Sequence, residues 1–510
     1  MTTFGILPPA FGFLAAARRG GGQEPWGAVA TRGLGADFSQ TLSAQEFSAT
    51  VIHGADVDPA RAWACEGDVA IVVAGEFYNR EELYSVLPGD AAHEDDARLL
   101  LALFERYGLH AFRLVNGRFA AVVAAGPRLY AATDHAGSVP LYVRPAPGDI
   151  RVATEAKALF LAQAPQGTPL SGARRVPGLR GVHQVPAGAV LELSVATGGG
   201  EVHRSWAPPL ARRILPEDEA VQAVRAALER AVQRRLPVSG EPLVVLSGGI
   251  DSSSVAALAS LAGPIDSLSM GTDLSDEFPE ARLVAEHLAA RHAEQRIPMG
   301  ELLRQLPHAV WAAETTDAEV IEYLLPLTSL YRRLDGPARR ILTGYGADIP
   351  LAGMHREDRL PNLDSAVAYD MATFDGLNEM SPVLAAISGH WTSHPYWDRD
   401  VLDLLVALEA GLKRRYGRDK WVLRASMTDL LPEETLFRPK LGVHEGTGVS
   451  TAFSRLLADH GVPENDIPAV KSLVVRELFD RTVAAGEHPD GVPVDDVVAT
   501  VLHRQRQGAA

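Results

Sequence analysis

The chain has 510 residues and one cysteine, Cys65. One thiol excludes an intrachain disulfide framework and any cysteine-rich metal cluster, and it suits a cytoplasmic protein. Long apolar runs are also missing. Phe119 to Pro127 is the nearest uncharged stretch, far short of the ~20 residues that cross a bilayer. The apolar N-terminal stretch is followed, not preceded, by Arg18 and Arg19, the wrong order for a secretory signal. No long basic block offsets the formal net charge of −16. Nucleic acid and anionic membrane are therefore excluded as expected partners. Internal repeats and low-complexity tracts are absent, and Gly198-Gly199-Gly200 reads as a hairpin tip.

Apolar residues make up 46% of the chain, enough for a sizeable core, and its length implies at least two domains. The first ~200 residues are rich in strand signals. Examples are Asp68–Val73, Arg118–Val123, Arg128–Ala132 and Ala189–Leu193. One helix interrupts them, Asp95 to Tyr107, with Leu99, Leu100, Leu103 and Phe104 on one face. This half reads as an α+β sandwich. From Glu217 onward helical periods alternate with the short apolar strands Leu243–Leu246, Ser267–Met270 and Arg340–Thr343. That alternation predicts a parallel sheet wrapped by helices. The boundary is placed in the Pro- and Arg-rich segment near residue 210, giving domains 1–209 and 210–510.

The most informative segment is Leu246-Ser247-Gly248-Gly249-Ile250-Asp251-Ser252-Ser253. It follows an apolar strand and opens a helix-like stretch from Asp251 to Leu261, in which Val255, Leu258 and Leu261 recur at helical spacing. Strand, Gly-rich turn and helix start together form a nest of N–H donors aimed at an anion. The loop lacks the Gly-Lys-Ser/Thr ending of a Walker loop, so kinase or GTPase chemistry is not indicated. A plain Gly/Ser turn is the alternative. Ser-Gly-Gly-x-Asp-Ser resembles the pyrophosphate loop of ATP pyrophosphatases, which adenylate a group and release pyrophosphate. Leu246, Ser247, Gly248, Gly249, Asp251 and Ser252 are thus candidate ATP-binding residues.

Three N-terminal segments resemble class II glutamine amidotransferases, in the family's order. They are Ala74-Gly75-Glu76-Phe77-Tyr78-Asn79-Arg80, Thr133–Tyr142 and Thr154–Leu159. The resemblance implies an N-terminal-nucleophile-type sandwich. That chemistry needs an N-terminal cysteine whose α-amine serves as base. Here Phe4 stands at its place, preceded by three residues, and Cys65 is internal. Ala74 replaces the asparagine that would donate to the oxyanion, and loss of one such donor can cost ~100-fold or more. Thr2, exposed by removal of Met1, is the remaining nucleophile candidate. The expectation is an inert domain that delivers no ammonia.

In the second half, Leu268-Ser269-Met270-Gly271-Thr272 is a strand end where backbone groups, with Met270, could read adenine. Leu342-Thr343-Gly344-Tyr345-Gly346-Ala347-Asp348 is a second Gly-rich strand end. Asp251 and Asp348 could be helix caps or paired magnesium ligands. With Met371–Val383 and Lys440–Gly446, these segments resemble the β-lactam synthetases, a ring-closing branch of the asparagine synthetase family. The likeness extends over nearly the whole chain.

That resemblance implies an α/β ATP-pyrophosphatase-type synthetase domain using ATP and Mg2+. The implied substrate is a small arginine-derived acid, N2-(2-carboxyethyl)-L-arginine. Its β-carboxylate is adenylated, its own secondary amine attacks, and a four-membered lactam closes. The products are deoxyguanidinoproclavaminate, AMP and pyrophosphate, on the way to clavulanic acid. Tyr345 with Glu379 would be the catalytic dyad, and Lys440 would steady the closing intermediate. Lys420 and Gly344 would meet the nucleotide, and Tyr323, Gly346 and Asp370 the substrate, with Asp370 on the guanidinium. A homodimer is implied in the same way. On sequence alone Tyr345 could be a packed aromatic, and Glu379, Asp370 and Lys440 surface charges. His390, His394 and His444 lack tight metal-ligand spacing and read as structural. Carbapenam synthetase, an ammonia-dependent asparagine synthetase and a nucleotide-binding regulator are the competing readings.

Overall fold

The computed structural model describes residues 7–18, 39–88, 95–160, 168–209, 211–355, 360–373, 380–439 and 446–508. The first half holds two antiparallel sheets. One has the order β10-β11-β8-β9-β1-β3-β2, built from β1 (Gly12–Arg18), β2 (Ser39–Ala44), β3 (Phe47–Ile52), β8 (Tyr142–Arg144), β9 (Asp149–Ala153), β10 (Arg174–Arg175) and β11 (His183–Gln184). The other has the order β13-β12-β7-β6-β5-β4, from β4 (Trp63–Glu66), β5 (Val69–Phe77), β6 (Gly117–Ala125), β7 (Arg128–Thr133), β12 (Ala189–Ser194) and β13 (Gly200–Arg204).

β5 is apolar on both faces because both are covered. Ala70, Val72 and Ala74 pack on Ala15, Val51 and Val152 of the facing sheet. Ile71, Val73 and Phe77 pack on Leu99, Leu100 and Leu103 of α1 (Asp96–Tyr107). The facing sheet turns its outer side, with Leu14, Ile52 and Tyr142, onto Leu306, Val310 and Phe479 of the second half. Helix, sheet, sheet and helix make a four-layer sandwich whose fourth layer comes from the other half of the chain.

The second half holds a parallel sheet of order β16-β15-β14-β17-β18. Its strands are β14 (Leu243–Val245), β15 (Asp266–Thr272), β16 (Arg291–Ile297), β17 (Arg340–Leu342) and β18 (Trp391–Ser393). The helices used below are α2 (Glu217–Gln233), α3 (Ile250–Ser260), α4 (Phe278–His287), α5 (Ala318–Arg332) and α6 (Leu360–Thr373). Strand order reverses at β14, which has β15 on one side and β17 on the other. Ligands of open α/β sheets bind beyond the strands' C-terminal ends at such a point.

The expected strands and the α1 helix are present. α3 buries Val255 and Leu258 completely, but it ends at Ser260 and leaves Leu261 51% exposed. The periodic face is thus one residue shorter than the pattern suggests. β16 and β18 carry no apolar run. β16 is an exposed polar edge, Arg-His-Ala-Glu-Gln-Arg-Ile, and β18 is three residues long. No helix among the described residues is long and apolar enough to cross a membrane.

Candidate active site

β14 runs through Leu246 into Ser247, Gly248 and Gly249, and α3 begins at Ile250. Leu246 N–H donates to the Leu268 carbonyl at 2.9 Å, extending the β14–β15 pairing to the loop. Gly248 has φ +74°, and a Cβ there would lie 2.4 Å from the Glu280 carbonyl carbon of α4. No side chain fits, so the turn requires glycine. Ser252 Oγ accepts from Ser247 N at 3.1 Å and lies 3.2 Å from Ser247 Oγ. Ser247 Oγ accepts from Gly249 N at 3.3 Å. The two hydroxyls thus hold the nest in shape at the positive end of α3.

The loop after β17 lies directly against this nest. A Cβ on Gly344 would sit 2.4 Å from Ser252 N. Only a residue without a side chain permits that approach. Four residues on, Asp348 faces Asp251 across Lys420. The Lys420 Nζ is 2.5 Å from Asp251 Oδ2 and 2.7 Å from Asp348 Oδ1, and the side chain is fully buried. Burial alone would pull this amine down, but the two carboxylates outweigh it and hold its pKa above the ordinary lysine value. Lys420 is therefore a permanent cation beside the nest. Gly353 makes room for the trio, since a Cβ there would fall 2.3 Å from Asp348 Oδ1 and 2.4 Å from Lys420 Cε. The donor set also fits magnesium. Mg2+ takes one or two protein carboxylates and completes its shell with phosphate oxygens and water. Among the described residues no group of three His, Cys, Asp or Glu side chains could hold a metal alone.

Tyr345 lies beside Tyr323 of α5, with ring centroids 5.8 Å apart, and stands edge-on to His394 at 5.6 Å. His394 Nδ1 pairs with Thr343 Oγ1 at 2.7 Å. Burial, then Arg118 and Arg235, push His394 well below the usual histidine pKa, so it is neutral. Gly346 has φ +94°, and a Cβ there would strike Trp397 Nε1 at 1.8 Å. Asp370 is on α6, its Oδ2 2.7 Å from His355 Nε2. Arg414 in turn binds the His355 carbonyl. α6 shares a core with Trp397 and Tyr345 through Leu363, Val367 and Met371. Met270 is half-buried on β15.

The nucleotide candidates and Asp348 thus converge at one end of the sheet, and Tyr345, Tyr323 and Gly346 lie along the same loop and its neighbours. Glu379, Lys440 and Phe4 lie outside the described residues, as does His444. Sequence reasoning missed Glu277 and the part played by Arg438. Arg438 Nη1 donates to the Ser247 carbonyl at 3.0 Å, and Nη2 to Glu277 Oε1 at 2.6 Å. A Cβ on Gly446 would lie 2.7 Å from Glu277 Oε2. Both flanks of the Lys440 segment therefore meet at Glu277, beside the nest that begins at Ser247. An acidic residue before a helix gives no pattern that could announce this. In the first half Ala74 is fully buried in β5 and offers no polar side chain to an oxyanion.

This arrangement of nest, carboxylate pair and paired sheets defines a class. The asparagine synthase family matches residues 223–386 and 383–493, and a glutamine amidotransferase domain matches residues 51–161. The chain belongs to the asparagine synthase family. It is 62% identical over 509 residues to the carboxyethyl-arginine beta-lactam-synthase of Streptomyces clavuligerus, a match covering 99% of each chain. It is 25% identical over 455 residues to the glutamine-hydrolyzing asparagine synthetase of Triphysaria versicolor, covering 81% of this chain and 74% of that one.

Proposed function

We propose that this enzyme closes a β-lactam ring on N2-(2-carboxyethyl)-L-arginine at the expense of ATP. The β-carboxylate oxygen attacks the α-phosphorus, pyrophosphate leaves, and an acyl-adenylate forms. The substrate's own secondary amine then attacks the acyl carbon, its proton passes to a base, and AMP departs. The products are the lactam, AMP and pyrophosphate.

One observation carries the reading. The single turn after β17 sets Gly344 against the pyrophosphate loop, carries Tyr345, and presents Asp348 to the buried Lys420. The residues assigned to activation and to base chemistry thus lie on one short segment, which supports the reading. The nest N–H groups and Lys420 would bind the leaving pyrophosphate. Magnesium held by Asp251 and Asp348 would offset phosphate charge. Tyr345 would take the amine proton; a phenol near pKa ~10 needs a carboxylate partner for this, and Glu379 is the residue assigned. Lys440 would steady the tetrahedral intermediate. Met270 would border the adenine. Tyr323, Gly346 and Asp370 would hold the substrate, with Asp370 on the guanidinium in a carboxylate fork. Intramolecular attack suits a chain with Phe4 and Ala74 where glutamine chemistry needs cysteine and an oxyanion donor. Holding amine and acyl carbon together can contribute roughly 7–11 kcal/mol in the best-oriented cases. A division near residue 210, a cytoplasmic location and a homodimer complete the proposal.

Incubation with ATP, magnesium and the arginine-derived acid tests it. The expected product is lighter than the acid by one water and appears with AMP and pyrophosphate. Intact acid, with asparagine formed from aspartate and ammonia, would refute it. Preference for a substrate without a guanidinium would favour a carbapenam-type synthetase.

A further inference from the structure

Glu76 and Arg118 lie outside the site described above. They are Cα partners across β5 and β6 of the antiparallel half. Both side chains cross to the parallel sheet and grip β17 and β18. Glu76 accepts two hydrogen bonds from Arg340, at 2.9 and 2.8 Å, and one from Trp391 Nε1 at 3.0 Å. It also accepts from Ser393 Oγ at 3.4 Å. Arg340 and Trp391 are themselves Cα partners across β17 and β18. Arg118 Nη1 donates to the Thr392 carbonyl and lies 3.2 Å from the Thr392 hydroxyl, while Nη2 donates to the Met380 carbonyl. Its guanidinium carbon sits 4.5 Å over the Trp391 ring. One cross-strand pair in the first half therefore meets one cross-strand pair in the second.

The grip falls on a weak element. β18 is three residues long and forms the edge of its sheet, so among the described residues β17 is its one strand neighbour. Edge strands this short owe their position to whatever covers them. The residue that follows β18 is His394, which is bound to Thr343 and stands edge-on to Tyr345. A shift of β18 would thus reach the phenol ring through one imidazole. Groups that react must be held within a fraction of an ångström, and a 1 Å error can cost ~100-fold in rate.

We propose that Glu76 and Arg118 are positioning residues for Tyr345: the glutaminase-like half holds β18, and β18 holds His394 against the phenol for ring closure. The inference rests on the role given to Tyr345 above. It assigns the first half a larger part in the second chemical step than in the first. Neither residue touches the pyrophosphate loop or Lys420 directly; the gripped strands reach them only at second hand, β17 through Gly344 against Ser252 and β18 through Tyr396, whose hydroxyl donates to the Asp251 carbonyl at 3.2 Å.

The test separates the two steps in the full chain, using Glu76→Gln and Ser393→Ala with ATP, magnesium and N2-(2-carboxyethyl)-L-arginine. Exchange of pyrophosphate into ATP reports adenylation, and product mass reports ring closure. In Glu76→Gln exchange stays within about twofold while lactam formation falls about 10- to 100-fold, with AMP released and the acid recovered. Ser393→Ala removes the hydroxyl that accepts from Arg340 Nη1 at 3.0 Å and donates to Glu76, and it leaves both charges of the ion pair in place. It shows the same split at about three- to tenfold, and it decides the matter if Glu76→Gln does not fold. Equal loss of both steps would mark a mere scaffold contact and overturn the proposal. Unchanged lactam formation in folded variants would also overturn it, and it alone. A wild-type chain that makes no lactam would overturn the proposed function and this inference with it.

Discussion

Lys413 is a fully buried lysine with no part in the proposed chemistry, and it makes stability depend on pH in a calculable way. Its amine donates to the Val406 carbonyl at 3.3 Å. Burial first, then Arg212, outweigh Asp364 and bring its pKa down from 10.5 to about 7. Each pKa unit corresponds to ~1.4 kcal/mol. Below pH 7 both folded and unfolded chains carry the proton, and folding bears the whole penalty, roughly 4–5 kcal/mol. Between pH 7 and 10.5 the unfolded chain binds the proton that the folded chain has lost, so stability rises by ~1.4 kcal/mol per pH unit. Lys413→Met keeps the volume and removes the charge. The variant is expected to be more stable at pH 6.5, and its advantage to shrink by roughly 2–3 kcal/mol at pH 9. Urea unfolding of both proteins, followed by tryptophan fluorescence at the two pH values, measures this. An advantage that is constant with pH, or a variant less stable at pH 6.5, would refute the reasoning.

The site allows three further tests. Gly344→Ala should abolish pyrophosphate exchange, because its Cβ would lie 2.4 Å from Ser252 N, in backbone that has no room to move; the far-ultraviolet circular dichroism should stay native. Lys420→Met leaves Asp251 and Asp348 facing each other without their shared cation, and exchange should drop by ~100-fold with a lower melting temperature. Asp370→Asn should raise KM for the arginine-derived acid by about tenfold or more while KM for ATP is unchanged, since it weakens a charge-assisted contact to the guanidinium alone.

What could be read in the sequence is what local chemistry dictates. The nest was legible because two glycines, two serines and a carboxylate between strand and helix have few other uses. β5 and α1 were legible because burial on both faces writes an apolar run and a helical stripe. β16 escaped because an exposed edge has no apolar signature, and β18 because three residues cannot show a period. The Lys420 contact joins positions 169 residues apart in sequence from Asp251, and no spacing rule reaches that far. Glu76 and Arg118 were visible as residues, but their partners lie in the other half of the chain. Arg438 and Glu277 escaped for the same reason.

Among the described residues, the outer face of the β1–β3 sheet is covered largely by the other half of the chain. Leu14, Ile52 and Tyr142 are covered by Leu306, Val310 and Phe479 from the far half. Two fold patterns thus share one dry interior, and either half expressed alone would turn an apolar face to water. A first half that makes no ammonia would still be indispensable, because its neighbour's core is also its own.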